Sequence, residues 1–87
     1  MDREQLRTTL LDLLEQETWE RPESLPDDMK LREGLKLDSV DLLSVMLRVE
    51  QNLNISLESR DFDKVVTVGD LITVLQNKVA ATAKRAA

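Results

Sequence analysis

Cysteine and histidine are both missing from this 87-residue chain, and tyrosine with them. Without cysteine there is no disulfide, no thiolate metal ligand and no protein thiol for covalent chemistry. Without histidine, the commonest general base near neutral pH and the commonest metal ligand are gone too. These gaps argue against an independent enzyme. Aromatic residues are reduced to Trp19 and Phe62, so an interior has to be assembled from leucine, valine, isoleucine and methionine. No apolar run approaches the ~20 residues that span a bilayer. The opening Met1-Asp2-Arg3-Glu4-Gln5 lacks the apolar segment of a signal peptide, so a cytoplasmic location is expected.

What is present suits one small domain. Hydrophobic residues make up 41% of the chain, enough for a single compact core at this length. The net charge of −5 disfavours a polyanion such as nucleic acid. It favours protein partners with basic patches, whose attraction mainly speeds encounter.

Leu6, Leu10, Leu13 and Leu14 share one stripe at helical spacing, which predicts a helix from about Asp2 to Glu17. From Thr18 to Leu37 no period is sustained, and Pro22, Pro26 and Gly34 interrupt the stretch. So long a connection in a compact domain is usually functional or packed by its own side chains. Leu25, Met29, Leu31 and Leu35 are available to anchor it, so it is expected to be ordered. A second helix is predicted from Ser39 to about Leu53, a short helical turn from Glu58 to Asp63, and a last helix from Val68 to about Val79, capped by Thr67 with Asp70. Lys64-Val65-Val66-Thr67 is the best strand signal, and it is short. The domain is thus expected over residues 1–79, with 80–87 a frayed tail.

Asp38-Ser39-Val40 is the most informative triplet. Asp38 is a natural N-cap, with Asp41 three residues on, and this sets the Ser39 hydroxyl at an exposed helix start where it can be esterified. Val45, Met46, Val49 and Leu53 suffice for a core face. Val40, Leu43 and Leu47 are then left over at i, i+3 and i+7, flanked by Asp38 and Asp41. Such a stripe suits a partner-docking helix. The alternative is a central helix covered on both sides by its own domain.

Gly34-Leu35-Lys36-Leu37-Asp38-Ser39-Val40-Asp41, the apolar helix behind it, Ile55-Ser56-Leu57 and Val65-Val66-Thr67-Val68 together resemble the acyl carrier proteins, over roughly Leu31 to Leu75. The resemblance implies an all-α, four-helix bundle of three longer helices and one short one, with a long first loop. It implies a 4′-phosphopantetheine arm from coenzyme A on Ser39, ending in a thiol that carries acyl groups as thioesters. Asp38, Val40, Asp41, Leu43 and Leu47 match the family's partner-facing positions. Met46, Val49, Val65, Leu71 and Val74 match positions lining its acyl cavity, with plain core packing as the alternative for each. The implied partners are a phosphopantetheinyl transferase, an acyl-loading ligase or acyltransferase, and acyl-processing enzymes, acting on a monomer without a dedicated metal site.

Three departures from the family pattern follow. Lys36 replaces a glycine and brings a cation towards the arm's phosphate, beside Asp38. Ser44 and Arg48 make the second helix less negative than usual, so Arg48 adds a basic group to the partner face. Phe62 replaces a small residue and is expected to narrow the cavity, favouring short or externally held cargo. These departures point to a specialised lipid or secondary-metabolite pathway. An aminoacyl or peptidyl carrier, or an unmodified helical interaction domain, are the other readings.

Overall fold

In the computed structural model the backbone is described for residues 2–86 and the side chains for residues 2–82. Five helices follow one another: α1 Arg3–Thr18, α2 Leu31–Leu35, α3 Ser39–Leu53, α4 Ser59–Phe62 and α5 Val68–Ala86. No strand occurs among the described residues, so the fold is all-α. α2 is the one helix the sequence pattern does not predict.

α1 begins with a reciprocal cap. The Asp2 carboxylate accepts the Gln5 N–H at 2.8 Å, and the Gln5 side chain accepts the Asp2 N–H at 2.9 Å. Its leucines at 6, 10, 13 and 14 are all buried. The helix ends at Trp19, whose φ of 67° is left-handed, an uncommon conformation for a bulky residue. The indole is 90% exposed.

The connection from Trp19 to Lys30 is ordered, for reasons visible in its contacts. Leu25 is only 2% exposed and joins the core. Asp27 accepts from Arg7 at 2.6 Å and from Arg3 at 3.3 Å, while Arg7 also donates to the Leu25 carbonyl. The Asp27 carbonyl in turn accepts the Gly69 N–H at 2.9 Å. A Cβ on Gly69 would lie 3.1 Å from that carbonyl oxygen, which is why the smallest residue stands at this crossing. Next, Val68 N–H donates to Met29 at 2.8 Å and Leu31 N–H to Val66 at 3.0 Å. The short apolar run before Thr67 is therefore used as a single Lys30–Thr67 bridge.

α1 packs against α3 and α5. Val45, Met46 and Val49 of α3 meet the leucines of α1 and Val68, Leu71, Ile72 and Leu75 of α5 in one core. No polar or charged residue is buried among those described, so the interior is held by apolar burial, worth about 25 cal/mol per Å². α5 runs past Val79 to Ala86, a stretch whose alanines favour helix without needing burial. The frayed tail expected at 80–87 falls largely on side chains, from residue 83 onward, outside those described.

Candidate functional site

Everything at the start of α3 follows from its cap. Asp38 is extended, with φ −85° and ψ −178°, and its carboxylate accepts the Asp41 N–H at 2.8 Å. Its carbonyl accepts the Leu42 N–H at 3.0 Å, the first hydrogen bond of the helix ladder. Ser39 is thereby the first helical residue, exposed to solvent. Its hydroxyl makes no side-chain hydrogen bond among the described residues.

Beside Ser39 a cleft of about 430 Å³ opens between α2 and α3. Lys30, Leu31, Arg32 and Glu33 form one lip, and Ser39, Leu42, Leu43 and Met46 the other. Phe62, Val65 and Val66 close the far end. That wall is fixed by Asp70, whose carboxylate accepts the Val66 and Thr67 N–H groups, each at 3.1 Å, while Thr67 Oγ1 accepts the Asp70 N–H at 3.2 Å. These backbone donors, Thr67 first, hold the Asp70 carboxyl below its ordinary range. Asp61 is held low in the same way, first by the Glu58 N–H and then, against some desolvation, by Lys78. Behind the cleft lies a void of only about 10 Å³, touched by Met46 and Leu71. It offers no more room than a single water needs, so the cleft ends at the core.

The residues singled out from the sequence fall into three places. Met46, Phe62 and Val65 line the cleft. Val49 and Leu71 lie in the core, and Val74 is half-buried on α5, away from the lining. Val40, Leu43 and Leu47 are 71%, 60% and 51% exposed, so the domain leaves this stripe of α3 uncovered. Asp38 is exposed and Asp41 half-buried beside it. Lys36 is exposed at the left-handed end of α2, with φ 55°. Arg48 turns towards α1, donating to Glu17 at 2.8 Å and to Gln16 at 3.4 Å.

Arg32, Lys30, Glu33 and Leu42 reach the cleft although nothing in the sequence singles them out. Their nearness to Ser39 is a product of how α2 packs, which local pattern does not encode. Among the described residues no group of three or more acidic side chains gathers as a metal site, and no helix is long and apolar enough to cross a membrane.

The bundle thus offers an exposed serine hydroxyl between a cleft and an uncovered apolar stripe. The family model described as "Phosphopantetheine attachment site" matches residues 4–75. The chain therefore belongs to the phosphopantetheine-binding acyl carrier proteins: its cofactor is 4′-phosphopantetheine, and it is a carrier and not an enzyme. It is 29% identical over 55 residues to an acyl carrier protein of Wolinella succinogenes, covering 63% of this chain and 72% of that one. An acyl carrier protein of Thermosynechococcus vestitus is 28% identical over 60 residues, covering 69% and 74%. In fold, the chain superposes on the crystal structure of an acyl carrier protein from Thermotoga maritima with a TM-score of 0.84 at 21% identity, covering 94% of this chain and 95% of that one. A solution structure of a holo acyl carrier protein from Geobacter metallireducens gives 0.78 at 18% identity, covering 88% of each chain.

Proposed function

We propose that Ser39 is the attachment serine and that the protein presents short acyl groups to partner enzymes of a specialised lipid or secondary-metabolite pathway. One observation carries this reading: the exposed, unengaged Ser39 hydroxyl stands on the rim shared by the cleft and the uncovered α3 stripe. The residues around it fit a phosphate ester. The start of α3 favours an anion by ~0.3–1 kcal/mol. Asp38, the nearest opposing charge, is engaged with a backbone N–H. When bound, the group supplies a terminal thiol that holds acyl groups as thioesters, the sulfur that this cysteine-free chain lacks.

Asp38, Val40, Asp41, Leu43 and Leu47 form the docking face for the transferase, the acyl-loading ligase or acyltransferase, and the processing enzymes. The distribution of charge supports partners other than strongly basic ones. Residues 2–29 hold nine carboxylates and three cations, a net of −6. Residues 30–48, which build the Ser39 region, hold three carboxylates and four cations, a net of +1. The acidity of the chain is therefore carried mainly by α1 and its loop, and because Arg48 pairs with Glu17 of α1, the remaining charges of the Ser39 region balance. Phe62 in the cleft wall supports short cargo.

The test is intact mass after incubation with coenzyme A and a promiscuous phosphopantetheinyl transferase. A single phosphopantetheine addition is expected on the wild type and none on Ser39→Ala. Addition that persists in Ser39→Ala, or a wild type that is never loaded, would refute the assignment.

A further inference from the structure

We infer that Arg32, seconded by Lys36, positions the phosphate of the attached group over the cleft, so that the arm lies in the cleft instead of swinging free. The inference rests on Ser39 being the attachment serine, and it adds a residue that the sequence pattern passes over. Arg32 and Ser39 line the same cleft from opposite lips. Both Arg32 and Lys36 are exposed, and neither has an ion-pair partner among the described residues. The other cation of this lip, Lys30, already faces Glu33 at 3.8 Å.

One of the two cations, Arg32, shares the cleft with the serine, and the other, Lys36, stands three residues before it in the chain. Lys36, at φ 55°, reverses the chain at the end of α2. The Leu37 N–H then donates to the Arg32 carbonyl at 3.1 Å, folding the Asp38-Ser39 link back over the last turn of α2. An anion on Ser39 has Asp38 and Asp41 as unfavourable neighbours on its own helix. It has Arg32 as a favourable one across the cleft, with Lys36 three residues back along the chain. A guanidinium suits this task because its planar fork matches phosphate oxygens in pairs. Beyond the phosphate, the apolar floor of Leu42, Met46, Phe62 and Val65 offers the rest of the arm a surface to lie on. Arg32 is thus a positioning residue, acting on where the arm rests.

The experiment uses the protein loaded from coenzyme A, verified by mass, and reads the arm by phosphorus and proton NMR. In the wild type at low salt, arm protons are expected to show cross-relaxation to Met46 and Phe62. In the double variant Arg32→Gln/Lys36→Gln those intensities fall about fivefold, the scale of two exposed charge contacts. They fall likewise in ~1 M salt, where the screening length is only ~3 Å. Arg32→Lys, which keeps the charge but loses the planar fork, gives an intensity between those of the wild type and the double variant. Both positions are exposed, and an unchanged amide spectrum confirms that each variant is folded. A loaded arm that is equally mobile in wild type and double variant overturns this inference alone. Failure to load Ser39 at all overturns both this inference and the attachment reading.

Discussion

Replacing Leu25 with alanine tests whether the long connection after α1 belongs to the fold or merely spans it. Leu25 is 2% exposed and sits in a segment with no regular structure, so only its side chain accounts for its burial. Its neighbours around the small void include Leu10 and Leu14 of α1, Val68 and Leu71 of α5, and Leu31 of α2. Those residues are held by helices that cannot close on a new cavity without moving as bodies. Leu→Ala at such sites costs 2–5 kcal/mol, and poor collapse places this one near about 3 kcal/mol. Domains of this size shift by roughly 4–8 °C per kcal/mol, so the midpoint should fall by about 12–24 °C. Thermal and urea unfolding followed by far-UV circular dichroism reads the change directly. A loss below about 0.5 kcal/mol, the range of ordinary surface substitutions, would refute the claim that this loop is packed as core.

Two further outcomes follow from the same structure. The guanidinium of Arg7, followed by that of Arg3, holds the Asp27 carboxyl below its ordinary 3.8 against some desolvation; its contribution is therefore present above the unfolded value and lost as pH falls through the lower folded one. Urea midpoints of the wild type should drop through that acidic range and those of Asp27→Asn should drop less, whereas parallel curves would show that the Asp27 link to α1 is not coupled to folding. Phe62→Ala should lengthen the cleft, each further methylene buried from a loaded acyl chain adding about 0.8 kcal/mol. Long-chain loading should then raise the thermal midpoint more in Phe62→Ala than in the wild type, and an equal rise in both would remove Phe62 as the limit on cargo.

Much of the fold is legible in the sequence where a signal is local. α3 spans Ser39–Leu53, as cap and apolar spacing together predict, and α1 differs from its expected bounds by one residue at each end. α2 is not legible because five residues are too few to display a period, and Lys30 gives it no side-chain cap. It forms because Leu31, its first residue, and Leu37, just past its end, are buried, a tertiary cause. The same holds at the site. Ser39 and the stripe can be read from one helix, since caps and spacing decide them. The cleft is shared by α2, α3 and the end of α4, and so Arg32 becomes visible only once those elements are assembled. The extension of α5 past Val79 has a simpler origin: the alanines at 80 and 81 are exposed, and alanine favours helix without burial.

Asp38 joins two roles that are often tested separately. Its carboxylate closes the first turn of α3, and it stands immediately before the residue proposed to receive the arm. Truncating it to alanine would therefore loosen the scaffold by ~0.5–2 kcal/mol in the same stroke that alters what a modifying enzyme meets. A drop in loading from that change would mix a frayed helix start with lost contact. Asparagine, which caps about as well, separates the two, because it removes the charge and leaves the turn intact.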